Sequence, residues 1–210
     1  MKKLLLVLFI AISGSAIGQT PTMTPVEINK RPLLDFKRNV AEKAGSKEVD
    51  FDKNFSITLN AVLTKDGKFD RSKSKFDIAK QTGDPKMIRI GQEALEAIGD
   101  SGFFTYLANL GAESFTAVLG QDDKTFEFVI TSPQKTPERK NIIVSSLSGI
   151  ISISKMKAEL PSDERTILDG LTATGDGVNI VLKLTLPKTV AQEIFARKVN
   201  QTRNEKSQQR

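Results

Sequence analysis

The chain has 210 residues and a mass of 23.1 kDa, with 31 basic and 25 acidic side chains, a formal net charge of +6, and no His, Cys or Trp. Without imidazole or thiolate, the usual zinc, copper, haem and iron–sulfur sites are excluded, as are Ser-His-Asp triads, Cys-His pairs and imidazole proton shuttles. No disulfide can form, so packing alone must hold the fold.

Residues 1–18 read as an address. Lys2 and Lys3 precede an unbroken apolar run, Leu4 to Ile12, then Ser13, Gly14, Ser15 and Ala16. Ala16-Ile17-Gly18 fits the small-x-small rule for cleavage before Gln19. The run is short for a bilayer span, which needs about 20 residues. The expectation is a cleaved signal peptide and export to the periplasm or the extracellular space, with no membrane span after cleavage. The positive charge is localised as well. Lys2 and Lys3 lie in the signal, and Arg197, Lys198, Arg203, Lys206 and Arg210 face only Glu205 in the tail, so residues 19–196 are neutral overall. Acidic and basic residues are interspersed through that body, and the tail has no aromatic residue to stack on bases, which argues against nucleic acid as a partner. The tail, 201–210, reads as an unfolded basic segment, with weak contact to anionic polymers as its one functional option.

Residues 19–30, with Pro21 and Pro25, read as a linker. Pro32 opens a short helix with Leu33, Phe36 and Val40 on one face, closed by Gly45. Phe55, Ile57, Leu59, Ala61 and Leu63 alternate with polar residues, the period of a half-buried strand. Asp66-Gly67 turns the chain, and a returning strand is expected over Phe69 to Ile78. Asp84-Pro85 caps a helix carrying Met87, Ile88, Gly91, Ala94, Leu95 and Ile98. Ser101 starts a second helix with Phe103, Phe104, Leu107 and Leu110.

The pattern then repeats. Phe115, Ala117 and Leu119 form a strand, and Phe126, Phe128 and Ile130 its partner across the turn Gln121-Asp122-Asp123-Lys124. Thr136-Pro137-Glu138 opens a helix with Ile143, Leu147, Ile150 and Ile151, although Ser and Ile make a strand around 150–153 an alternative. Pro161-Ser162-Asp163-Glu164 caps a helix with Ile167, Leu168 and Leu171. Gly175-Asp176-Gly177 turns into a strand with Val178, Ile180, Leu182, Leu184 and Leu186. Thr189 to Gln192 reads as a capping box for a last helix with Val190, Ile194 and Phe195. Hairpins followed by helices predict the α+β class: an antiparallel sheet with helices on one face, arranged as two similar strand–strand–helix–helix units. The expected divisions are the signal 1–18, the linker 19–30, units at 31–111 and 112–200, and the tail 201–210.

Several residue sets imitate chemistry. Ser72 with Lys75 and Ser152 with Lys155 match the Ser-x-x-Lys spacing of serine acyl transfer, but the companion Ser-Asp-Asn and Lys-Thr-Gly elements are missing. Asp50, Asp52 and Asn54 resemble the start of a calcium loop, yet Phe55 stands where Gly is required and Ala61 where a bidentate Glu is required. Glu93, Glu96 and Asp100 cluster on one helix, with Arg89 one turn before Glu93, the pattern of solvated ion pairs. Gly175 and Gly177 precede a strand, whereas a phosphate cradle needs a helix N-terminus or a backbone nest. Phe103, Phe104 and Tyr106 are candidates for a groove or for the core. No catalytic, cofactor-binding or metal-binding residue is assigned, and no cofactor is expected.

The stretch from Phe55 to Ile98 resembles the C-terminal domain of the TonB/TolA family of envelope proteins. The shared elements are the strand FSITLNAVL, the turn KDGKF, a second strand, then GDP and a helix ending EALEAIG. The resemblance implies a strand–strand–helix unit in 31–111 that binds partner proteins, often by adding a strand. The family's energy transducers keep an uncleaved anchor and a long Pro-rich spacer, and here the signal looks cleavable and the linker is short. The resulting expectation is an exported, non-enzymatic binding or structural protein of the bacterial envelope that engages a protein or peptide partner. The alternative is an extracytoplasmic hydrolase acting through the carboxylates or a Ser/Lys pair.

Overall fold

A computed structural model describes residues 27–46, 48–156 and 160–208. The expected signal and most of the linker lie outside the described residues. The chain enters through helix α1 (Arg31–Gly45) and passes into strand β1 (Phe55–Val62). Two short strands follow, β2 (Lys75–Phe76) and β3 (Thr82–Gly83), with a 3-10 turn at Ile78–Lys80 between them. Helices α2 (Pro85–Asp100) and α3 (Thr105–Asn109) lead to the hairpin β4 (Ser114–Gln121) and β5 (Thr125–Pro133). Helices α4 (Pro137–Lys155) and α5 (Ser162–Gly170) precede the hairpin β6 (Leu171–Asp176) and β7 (Asn179–Pro187), and α6 (Lys188–Gln208) ends the described chain.

All strand pairs are antiparallel and join in one sheet, ordered β2-β1-β4-β5-β7-β6, with β3 also on β1. Every residue of β1 pairs with β4, from Phe55 with Gln121 to Val62 with Ser114. The strands of residues 31–111 and 112–200 therefore belong to a single ladder. Pairing places Phe55, Ile57, Leu59 and Ala61 on the same face as Phe115, Ala117, Leu119, Ile130, Ile180 and Leu186, all buried. Helices cover that face: Met87, Ile90 and Leu95 of α2 join the core over β1 and β4, while Ile143 and Leu147 of α4 pack with Ile180. The opposite face shows Asn60, Thr116, Val118, Thr131, Val181, Lys183, Thr172 and Thr174, none of them buried. The fold is α+β, an antiparallel sheet with helices on one face, as the hairpin-then-helix order predicts.

Local sequence explains the helix entrances. Asp84 accepts from the N–H groups of Lys86 and Met87, and Thr136 from that of Arg139, each followed by Pro at the first helical position. The segment 150–153 is helical, as part of α4.

Five expectations need correction. The returning strand over Phe69 to Ile78 shrinks to β2 and one bridge, Leu63 with Phe69. Asp70 is the cause: its Oδ1 accepts from Ser72 and Lys73 N–H and from the Ser72 hydroxyl, a local turn that competes with a ladder. Conversely, Leu171 begins a strand rather than closing a helical stripe, because α5 stops at Gly170 and β7 supplies a hydrogen-bonding partner. At the start of α5 no side chain caps the helix; Asp163 and Glu164 lie in its first turn. Helix α6 begins at Lys188, so Thr189 is inside it rather than capping it, and Gln192 instead donates to Phe51 O and Asp52 Oδ1. The backbone of α6 continues as helix to Gln208, through residues read from the sequence as an unfolded tail.

Candidate functional site

The residue sets singled out by spacing are held in structural contacts. Glu93 accepts from Lys43 at 3.0 Å and from Asn39 at 3.0 Å, and pairs with Arg89 at 3.3 Å, which ties α2 to α1. Asp100 accepts from Arg71 Nε at 2.9 Å and from Arg71 Nη2, and Glu96 lies 4.0 Å from the same guanidinium. The Asp100 carboxylate beside it raises the Arg71 guanidinium above its ordinary pKa. Lys155 points its amine at Asp169 O, 3.4 Å away, and Ser152 is exposed. The Ser72 hydroxyl donates to Asp70, and Lys75 lies exposed in β2. None of these residues lines the apolar cleft between α3 and α4.

Asp52 and Asn54 meet partners from distant elements. Lys188 donates to Asp52 O at 2.7 Å and to Asn54 Oδ1 at 3.0 Å, while the Asn54 amide donates to Asp123. The calcium-like run is thus a junction that fixes the start of α6 to the entry of β1. Among the described residues no cluster of three or more His, Cys, Asp or Glu has the arrangement of a metal site. Arg197 and Lys198 both pair with Asp163, so two of the tail cations serve the contact between α5 and α6. Among the described residues no helix is long and apolar enough to cross a membrane.

The outer edge of β1 is occupied along its length. Asp84 N–H donates to Asn54 O, Ser56 pairs with Thr82, Asp77 N–H donates to Thr58 O, and Asn60 pairs with Lys75. At its end the Val62 N–H donates to the Ser74 hydroxyl at 3.0 Å, and Val62 O accepts from Asp70 N–H.

The outer edge of β6 differs. The two-residue turn Gly177-Val178 closes on the pair Asp176–Asn179, so Asp176, Thr174 and Thr172 bond to β7, while Leu171, Ala173 and Gly175 turn their backbone groups outward. Leu171 N–H donates to Leu168 O, and Ala173 O accepts from the Ser148 hydroxyl at 3.2 Å. Among the described residues, no partner meets the Ala173 N–H or either backbone group of Gly175. The strand carries no Pro, Lys or bulge, the usual devices that blunt an edge. Lys140 of α4 lies over Gly175, its Cδ 2.6 Å from where a Cβ would stand.

Between the α3 segment and α4 the helix layer parts over a cleft of about 50 Å³. Phe103 and Tyr106 wall one side and Leu147, Ile150 and Ile151 the other, over a floor of Ile130, Ile180 and Leu182. Phe104 is instead fully buried in the core against Phe115. Polar atoms enter from Ser132 and Gln134, both buried. The sequence left Phe103, Phe104 and Tyr106 between groove and core; Phe103 belongs to the buried core and also lines the cleft, with Tyr106 beside it. Sequence reasoning missed Gln134, a polar residue in what reads as a turn, which is buried and whose N–H donates to Val178 O at the β6–β7 hairpin. No family model, curated protein or solved structure matches this chain.

Proposed function

We propose that the protein is an exported, non-enzymatic binding or structural protein of the bacterial envelope, and that it engages a protein or peptide partner by accepting an extended segment along β6. The observation that carries this reading is the open outer edge of β6, with the Ala173 N–H and both backbone groups of Gly175 facing outward. A strand laid beside it gains main-chain hydrogen bonds without any catalytic side chain, which suits a chain lacking His and Cys. The dispersal of the carboxylates and Ser/Lys pairs into ion pairs and turns supports binding over hydrolysis. Export rests on the signal-like residues 1–18, and the TonB/TolA-like stretch from Phe55 to Ile98 supports an envelope role.

Proline tests this at one atom. The Ala173 N–H makes no ladder bond, so Ala173→Pro removes the outward donor at a position where edge strands tolerate Pro. Purified wild-type and Ala173→Pro chains are immobilised and exposed to envelope extract. A specific partner retained by the wild type and lost at least tenfold by Ala173→Pro, with unchanged circular dichroism, is the expected result. Equal recovery by both chains, or no specific partner on either, overturns the reading.

A further inference from the structure

Helix α4 is apolar on two faces. Ile143, Leu147 and Ile151 are buried, while Ile142, Ile153 and Met156 are 58%, 62% and 82% exposed. At about 100° per residue, those three exposed side chains and Gly149 fall within an arc of about 60°, on the side of the helix opposite Leu147. Residues 141–154 hold no charged side chain. A surface helix ordinarily carries charged and polar residues on its solvent face, and a helix apolar all round is one that is covered all round. The stripe therefore calls for a partner, and its own spacing identifies one. Ile142 lies seven residues before Gly149 and Met156 seven after it, two turns in each direction, so the stripe is symmetric about Gly149.

We propose that this face of α4 packs antiparallel on α4 of a second copy of the chain, with the two-fold axis at Gly149. In that pair Ile142 meets Met156 of the second copy at each end, and Ile153 meets Ser145, a large side chain against a small one. Each contact is reciprocal, as a two-fold interface requires. Nothing lies within 4 Å of where a Cβ would stand at Gly149, so the two backbones can approach closely at the crossing. The Ser146 hydroxyl donates to Ile142 O at 2.9 Å, which satisfies its hydrogen inside its own helix and leaves its oxygen to accept from Ser152 of the second copy. Antiparallel packing also sets the two helix dipoles against each other favourably. The surface is distinct from the open edge of β6: Ser148, which reaches Ala173 O, is turned about 100° round the helix from Gly149. Self-association and strand addition therefore stand or fall separately.

The chain contains no Cys, so single introduced thiols report the register without background. Under mild oxidation Gly149→Cys is expected to form a disulfide-linked dimer with itself, whereas Ile142→Cys and Met156→Cys are expected to cross-link when mixed and not when alone. In sedimentation equilibrium the unmodified chain is expected to rise from the monomer mass toward twice that mass between about 1 and 100 µM, the range of a small interface. Ile153→Asp is expected to weaken association at least tenfold with unchanged circular dichroism, and Gly149→Leu, which holds the crossing apart, repeats the comparison if the aspartate variant does not fold. A chain that remains monomeric at 100 µM, Ile142→Cys that links to itself, or association unchanged in both variants overturns the proposal.

Discussion

The two outer strands of the sheet are finished in opposite ways. Along β1 the outward groups from Asn54 to Val62 are met by residues 70–84, through β2, β3, the N–H groups of Asp70, Asp77 and Asp84, and the Ser74 side chain. Among the described residues, the only side-chain hydrogen bond to an outward backbone group of β6 comes from Ser148, and Gly175 is met by none. The difference teaches that an edge is closed by hydrogen bonds rather than by regular strand. An irregular, polar segment seals β1, while the regular hairpin strand β6 ends the sheet unsealed. One edge is therefore structural and the other available, and that contrast can be tested with matched substitutions at the two sites.

Glycine supplies the largest expected effect. Gly83, in the segment that seals β1, has φ +97°, and a Cβ there would collide with Asn54 O and approach Phe55 Cα within 2.7 Å. Gly177, at the tip of the β6–β7 hairpin, has φ +54° with nothing within 4 Å of a Cβ. Gly83→Ala adds a backbone collision to the strain of positive φ, on the order of 2–5 kcal/mol together. Gly177→Ala bears only the conformational term, about 1–2 kcal/mol. Urea denaturation of the two variants measures the gap. Equal losses would mean that the β1 seal is no tighter than the open hairpin.

The same substitution at each edge gives a smaller effect. Ser74→Ala leaves the half-buried Val62 N–H without its acceptor, at about 1–3 kcal/mol. Ser148→Ala exposes Ala173 O at an edge that water can reach, and Ala is the better helix former inside α4, so the net change stays within about 0.5 kcal/mol. Hydrogen exchange separates the two: protection falls at Val62 in Ser74→Ala and stays level along β7 in Ser148→Ala. A Ser148→Ala chain as destabilised as Ser74→Ala would show that α4 seals β6 after all.

The contrast between the edges also marks how far the sequence could be read. Strands β1, β4, β5 and β7 alternate with period two over most of their length, and the α2 and α4 entrances carry an acceptor side chain followed by Pro, so purely local patterns locate them. The class follows from their order. Strand β6 was hidden because Leu171 extends the spacing of Ile167 and Leu168. The alternation of Leu171 and Ala173 with Thr172 and Thr174, closed by Asp176-Gly177, was the signal that reveals it. The seal on β1 was hidden for another reason: the bond of Ser74 to Val62 spans twelve residues and has no periodic trace. Gln134 is the extreme case, since its burial depends on a hairpin tip and a helix that only the fold brings together.

The smallest effect is set by pH and belongs to the β1 seal alone. Asp70 anchors the turn that replaces the returning strand, and the Ser72 hydroxyl and Lys73 hold its carboxyl below its ordinary value. Asp66, in the preceding turn, is lowered in the same sense by the Thr64 hydroxyl and by Lys68. A carboxyl whose folded value is depressed contributes its stabilisation above the unfolded value, near 3.9, and loses it as pH falls through the folded value. The turn should therefore keep its native amide signals for Ser72 and Lys73 at pH 5 and lose them progressively below about pH 4. In Asp70→Asn those two signals should no longer titrate, because the acceptor is neutral throughout. The Ala173 amide, which bonds to no carboxylate, serves as the reference at the other edge. Titration of Asp70 at or above 3.9 would remove the carboxylate from the account of the seal and leave the Ser74 bridge and the short strands to explain it.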